Sequence, residues 1–191
     1  MKTSFILASA SPRRKEIFSM LGLDFSIQAA DIVETIAPGL PPEETVTSLA
    51  AQKAKAVKDA VGLSDKTVVG ADTVVSFQGR IFGKPKSPEE AFSMLSALSG
   101  NTHQVFTGVC ILLPGGKEAS FYEKTDVTFF SLAEADIWDY VRTEKPFDKA
   151  GAYGIQGKAA VFVEGIRGDF FNVVGFPAAR FIRALRELNQ K

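Results

Sequence analysis

The sequence predicts an α/β protein built on an elongated, twisted mixed β-sheet with helices on both faces. Two observations carry that expectation. Helical and strand-like segments alternate through the first half, the pattern that feeds parallel pairing. Two apolar runs, 105–113 and 120–130, then flank Pro114-Gly115-Gly116, a hairpin signal that demands an antiparallel pair. A chain of 191 residues fits one large domain or two small lobes sharing a core, with a central cleft between lobes as the natural ligand site.

Phe5 to Ala8 reads as a short buried strand, followed directly by a helix from Pro12 to Leu21. Ser11 suits the N-cap and Pro12 the first helical position, where its missing N–H costs nothing. Ile17, Met20 and Leu21 share one helical face, and Gly22 supplies the stop. Asp24 to Ala30 forms a second strand. Pro38, Gly39, Pro41 and Pro42 mark a loop before a helix from Glu43, whose stripe of Val46, Leu49, Ala50, Ala54 and Val57 has Lys53 beside it. Thr67 to Val75 is a β-branched, apolar strand around Gly70-Ala71-Asp72-Thr73, and Gln78-Gly79-Arg80 turns it into Ile81-Phe82-Gly83. Ser87-Pro88-Glu89-Glu90 is a capping box opening a helix that ends at Gly100; Ser131 and Glu134 form a second box before a helix through Ile137, Trp138 and Val141. A loop rich in glycine and lysine leads to a strand around Val161 to Val163. An amphipathic helix from Pro177 to Leu188 closes the chain. No repeat of solenoid period is present.

Composition removes several function classes. Lysine plus arginine and aspartate plus glutamate both number 22, so the basic excess of a duplex-binding protein is missing. The 46% hydrophobic content is that of a folded globular chain. Cys110, the single cysteine, lies in an apolar run and reads as a core residue. With no internal disulfide possible, a reducing compartment is favoured. The N-terminal apolar stretch breaks at Ser9, and no apolar run reaches the roughly 20 residues of a membrane span. The protein therefore reads as cytoplasmic, with no nucleic-acid or membrane partner. There is no Gly-Lys-Ser/Thr phosphate loop and no His-Glu-x-x-His, and one histidine with one cysteine builds no usual zinc site. Gly151, Gly154 and Gly157 do not form a dinucleotide fingerprint. A serine triad would have to use His103, yet no nucleophile elbow is visible; His103 is expected to be structural, in the turn before a strand.

What remains is a set of polar residues at the ends of predicted elements. Ser9-Ala10-Ser11-Pro12-Arg13-Arg14 joins a strand to a helix start, where free N–H groups and the helix dipole favour an anion. Arg13 adds a planar phosphate contact there; the competing reading is a capped helix with two solvated arginines. Asp72 interrupts an apolar strand and is either hydrogen-bonded structurally or placed to accept a proton from water, ligate a metal, or do both in turn. Glu34 and Lys53 resemble ordinary surface charges when taken alone, whereas Phe82-Gly83-Lys84-Pro85 sets Lys84 on a rigid turn. In Asp148-Lys149-Ala150-Gly151-Ala152-Tyr153-Gly154-Ile155-Gln156-Gly157, a buried Gln156 suits the reading of a base edge.

Taken together these segments resemble the Maf family of nucleotide pyrophosphatases. The match runs through Leu7-Ala8-Ser9-Ala10-Ser11-Pro12-Arg13-Arg14, Gln52-Lys53-Ala54, Gly70-Ala71-Asp72-Thr73, Phe82-Gly83-Lys84-Pro85, His103-Gln104-Val105-Phe106-Thr107-Gly108-Val109 and the 148–157 loop, in family order. The resemblance implies a fold similar to the inosine triphosphate pyrophosphatases and a single such domain over residues 1–191. It implies hydrolysis of a nucleoside triphosphate to the monophosphate and pyrophosphate with a divalent cation, Mg²⁺ or Mn²⁺. Asp72 is then the general base and a metal ligand with Glu34, while Ser9, Arg13, Lys53 and Lys84 bind phosphates. Thr73 and Gln156 resemble the branch acting on dTTP and UTP, a house-cleaning activity on nucleotide pools that extends to modified pyrimidines. The branch acting on 7-methyl-GTP instead resembles Asp-Gln and a glutamate at those places. An amide both donates and accepts, matching the adjacent carbonyl and N3–H of uracil or thymine. The family further implies a homodimer. Two other readings stand beside this one: a non-catalytic nucleotide-binding regulator of septum formation, and a purine pyrophosphatase for ITP or XTP.

Overall fold

Strand and helix alternate as their spacing predicts. The computed structural model describes residues 4–62 and 65–190. In chain order the elements are β1 (Ser4–Ala8), α1 (Pro12–Met20), β2 (Asp24–Ile27), α2 (Pro42–Val61), β3 (Thr67–Phe77), β4 (Arg80–Phe82) and α3 (Pro88–Leu98). They continue as β5 (Thr102–Leu112), β6 (Glu118–Phe129), α4 (Glu134–Glu144), β7 (Val163–Arg167), α5 (Phe170–Val174) and α6 (Ala178–Gln190), with 3-10 turns at Ala150–Ala152 and Lys158–Phe162. The seven strands form one mixed sheet in the order β2-β1-β3-β5-β6-β7, with β4 on β3. β1 runs parallel to β2 and β3, while β4 is antiparallel to β3 and β7 to β6. The turn between β5 and β6 is closed by Leu113 N–H donating to the Lys117 carbonyl at 2.8 Å. A connection that short allows only an antiparallel pair.

The chain divides into two compact units, each with its own core. The first comprises Met1–Asp72, Thr107–Glu123 and Gly175–Lys191; the second comprises Thr73–Phe106 and Lys124–Val174. In the first unit Phe18 packs edge-on against Phe5, Phe25 and Phe176, and Phe181 of α6 joins the same aromatic cluster. A second cluster sets Ala50, Ala54 and Val57 of α2 against Ile6, Val68 and Cys110 of the sheet. Two glycines permit that approach. An ideal Cβ on Gly70 would lie 2.2 Å from the Ala50 carbonyl oxygen, and one on Gly108 would lie 2.3 Å from the Val46 carbonyl. The α2 backbone therefore rests directly on β3 and β5.

The second unit packs α3 and α4 around Val105, Val127 and Phe129, with Tyr153 and Phe162 from the following segment. Phe92 and Trp138 stack at 4.5 Å between ring centroids. The Ser87 cap forms as its sequence predicts, its hydroxyl accepting the Glu90 N–H at 3.2 Å, though Glu90 reaches back to Lys86 N–H. The expected Ser131 box does not form. Phe130 is drawn to Gly100 and Leu132 N–H to the Ser99 hydroxyl, so α4 starts from Ala133 without a side-chain cap. β2 stops at Ile27 rather than Ala30, and β7 begins only after the 158–162 turn. Met20, expected on the buried face of α1, is 57% exposed; Arg14, Ile17 and Phe18 form that face instead.

Candidate active site

The first unit gathers most of the predicted charged residues. Ala8 stands opposite Gly70 in the parallel β1–β3 register, so β1 ends at Ser9 while β3 runs on through Asp72 just past that level. The carboxyl ends of parallel strands are where α/β sheets bind ligands. Asp72 lies two residues beyond Gly70 in β3, and Lys53 lies one helical turn beyond Ala50 in α2. The close approach allowed by Gly70 thus sets ammonium against carboxylate. Lys53 Nζ donates to Asp72 Oδ1 at 2.5 Å and sits 2.9 Å from Glu34 Oε1. The Lys53 and Asp72 side chains are 15% and 14% exposed, and Glu34 46%. Two carboxylates from distant segments thus converge on one cation.

The β1–α1 turn supplies the opposite charge. Ser11 occupies the N-cap position, but its side chain makes no capping bond. Ser9 instead ties the turn before the helix, its Oγ accepting from Ser11 N–H at 3.2 Å and from Arg14 Nη1 at 3.0 Å. Arg14 Nε donates to the Gly175 carbonyl at 2.9 Å. Burial lowers the Arg14 pKa, opposed by attraction from Asp72 and then reinforced by repulsion from Arg13, with Glu34 attracting as well. The guanidinium stays cationic and lies within electrostatic reach of all three charges. Arg13, half-buried, leaves the same helix start beside it.

Arg14 is the member that sequence reasoning passed over. Its signal was present: Arg14 precedes the buried Ile17 and Phe18 by three and four positions, so helical spacing points it inward and Arg13 aside. Gln52 is the other omission; its side chain bonds to the backbone of Thr35, next to Glu34.

The second unit holds Thr73, Lys84 and Gln156. Thr73 follows Asp72 in β3 and is half-buried. Lys84 is exposed between buried Phe82 and Pro85, and the Gly83 carbonyl before it accepts from Gly151 N–H at 3.0 Å. Gln156 is exposed, not buried as its apolar neighbours suggest, because Ile155 turns inward and Gly157 at φ +94° turns the chain outward. The loop before it is held from beneath. His103, fully buried within β5 and not in the turn before it, shares a 2.8 Å hydrogen bond with the Tyr153 hydroxyl. Burial lowers the His103 pKa to about 4 and pushes the Tyr153 phenol up. A neutral histidine bonded to a protonated tyrosine is a structural pair, as expected. Gly151 and Ala152 both adopt positive φ, +68° and +62°.

Among the described residues no group of three or more histidines, cysteines or carboxylates could hold a metal, and no helix is long and apolar enough to cross a membrane. A family model for Maf-like proteins matches residues 4–188. A Bacillus cereus protein named dTTP/UTP pyrophosphatase is 50% identical over 184 residues, spanning 96% of this chain and 95% of that one. A Bacillus anthracis protein of the same name shows the same identity and coverage. Among solved structures, a HAM1 protein from Coxiella burnetii aligns with a TM-score of 0.51 at 14% identity, covering 97% of this chain and 99% of that one, which establishes a shared fold. With a family model matched across nearly all of its length and relatives half identical over it, this chain belongs to the Maf-like family.

Proposed function

We propose that this protein hydrolyses dTTP and UTP to the monophosphate and pyrophosphate. The observation that carries the reading is the Glu34–Lys53–Asp72 chain of contacts beside the Ser9–Arg14 turn. The substrate comes from the relatives, both named for dTTP and UTP. A triphosphate presents crowded negative charge that repels incoming hydroxide. Arg13, Arg14, Lys53 and Lys84 offset that charge, and Ser9 Oγ with the α1 N–H groups binds phosphate oxygens. Asp72 takes a proton from water and aims its oxygen at the α-phosphorus. The new bond forms there as the bond to the α–β bridging oxygen breaks, and pyrophosphate departs. Thr73 and Gln156 confer the preference for a pyrimidine.

A divalent cation fits these residues. Magnesium takes one or two carboxylates and completes its shell with water and substrate phosphates, and Glu34 with Asp72 already converge on one positive group. Those two would hold the ion, which supplies charge neutralisation for the leaving group. The same reading makes the protein cytoplasmic and homodimeric.

The test is pyrophosphate release from ordinary and modified triphosphates with magnesium or manganese. Release from dTTP and UTP is expected. Release confined to ITP and XTP would replace the proposal with purine house-cleaning, and no release would favour a nucleotide-binding regulator of septum formation.

A further inference from the structure

Residues 28–37 belong to no helix or strand, and 33–39 are exposed, with Val33 91% open to solvent. Burial of apolar surface therefore does little to hold Glu34. The contacts at this point come from α2. Gln52 Oε1 accepts from Thr35 N–H at 3.1 Å, and Gln52 Nε2 donates to the Thr35 carbonyl at 2.8 Å. Both halves of one amide thus read both backbone groups of one residue, like a rung of a β-ladder. A third bond ties the amide to its own helix, Nε2 donating to Ser48 Oγ one turn earlier at 3.1 Å. Reversing the amide would set donor against donor at the Thr35 N–H and acceptor against acceptor at its carbonyl.

We infer that Gln52 is a positioning residue that holds Glu34 for the cation. Successive residues of α2 grip successive residues of the segment: Gln52 takes the backbone of Thr35, and Lys53 takes the side chain of Glu34. The two grips differ in kind. Lys53 also serves phosphate in the proposed reaction, so its hold on Glu34 is shared with substrate. The amide clamp is neutral and local, and it persists whichever partner Lys53 takes. It fixes the backbone one bond from Glu34, which narrows the positions its carboxylate samples before the cation arrives. A solvated glutamine on a helix face, the ordinary case, would leave the Thr35 groups to water.

The inference rests on the reading of Glu34 as a cation-holding residue, and the experiment separates the two. Mn²⁺ is titrated into wild type, Gln52→Met and Glu34→Gln in the presence of the α,β-imido analogue of UTP, with free Mn²⁺ followed by paramagnetic resonance. Hydrogen exchange at the Thr35 amide is measured in the absence of metal, and UTP turnover at saturating Mg²⁺ alongside. Methionine keeps the helix and the side-chain length, and the freed Thr35 groups can meet water, so Gln52→Met should fold. Its Mn²⁺ half-saturation should rise about tenfold, the lower end of the cost of removing an outer partner of a ligand. Thr35 exchange should accelerate, and turnover at saturating metal should stay within about twofold of wild type. Unchanged Mn²⁺ binding in Gln52→Met with weakened binding in Glu34→Gln overturns the clamp and leaves the proposed function standing. Unchanged binding in both variants removes Glu34 from the cation and the clamp with it.

Discussion

Asp72 and Gln156 are held in place by opposite means. Around Asp72 the first unit uses charge: an ammonium shared with Glu34, a buried guanidinium on Ser9, and an arginine beside it. Beneath Gln156 the second unit uses shape: a neutral histidine–tyrosine bond, one backbone bond from Gly151 to Gly83, and two residues in the left-handed region. Charges close to one another in a half-dry site lower the cost of moving a proton and of separating a polyanion. A neutral frame does neither. It fixes where an amide points, and so which partner that amide accepts. Damage to the first region should therefore show in turnover, and damage to the second in stability and in the choice of base.

The largest effect should come from Asp72→Asn. Asparagine keeps the volume and an oxygen that accepts from Lys53, so the variant should fold. It loses the proposed base, and turnover on UTP should fall by about 10²–10⁴-fold. Pyrophosphate release near the wild-type rate would sink the division between the two regions, because the charged cluster would then be structural.

The second region should reveal itself on acidification. His103 is the only histidine in the chain, and its pKa falls from 6.5 to about 4 in the folded state. The unfolded chain therefore takes up a proton that the folded one refuses, and stability is lost as pH falls from 6.5 through about 4. The full shift corresponds to about 3 kcal/mol. Urea unfolding across that window should flatten in His103→Gln. An equal slope in wild type and variant would mean that the imidazole is not buried neutral.

Two glycines give a smaller and paired contrast. A Cβ at Gly70 would strike helix backbone, 2.2 Å from Ala50 O and 2.8 Å from Ala54 N. α2 would have to lift off β3, costing about 1–3 kcal/mol and carrying Lys53 away from Asp72. At Gly151 a Cβ would meet Val75 Cγ2 at 2.8 Å, a side chain that can turn, while φ stays at +68°. That strain costs about 1–2 kcal/mol. Melting curves should therefore drop in both alanine variants, but kcat for UTP should fall much further in Gly70→Ala. Equal kcat losses would show that α2 does not set the Lys53–Asp72 contact.

How much of this was legible follows the range of each interaction. Ser87 and its helix could be read because the capping hydroxyl and the N–H it accepts from lie three residues apart. The same logic failed at Ser131, where a bond from Leu132 to Ser99, distant in sequence, moves the helix start. It failed at Ser11, whose side chain makes no capping bond, while the turn before the helix is tied by Ser9 and Arg14. The inward turn of Arg14 was encoded in its spacing to Ile17 and Phe18 but hidden by the expectation that charges face water. The exposure of Gln156 does not follow from its neighbours, since Gly157 after it, at φ +94°, lets the chain turn outward within one residue. Nothing near Thr35 announces the Gln52 clamp: an irregular, exposed segment carries no periodicity, and its partner is 17 positions away.

The finest test of the comparison is Gln156→Glu. The residue is exposed, so the exchange removes no buried contact and should leave the fold and the His103–Tyr153 pair intact. It converts a group that donates and accepts into one that only accepts. Uracil and thymine present a carbonyl beside N3–H, and the carbonyl would then face a carboxylate. Guanine presents two donors on its pairing edge and would gain. The ratio of kcat/KM for UTP to that for GTP should fall about tenfold, the size of one well-placed hydrogen bond to a base edge. kcat for UTP at saturation should change less, because Asp72 and Lys53 are untouched. An unchanged ratio would remove Gln156 from base reading. A collapse of kcat for both nucleotides would instead place it with the charged cluster, and the separation of chemistry from recognition would fail at the residue chosen to represent recognition.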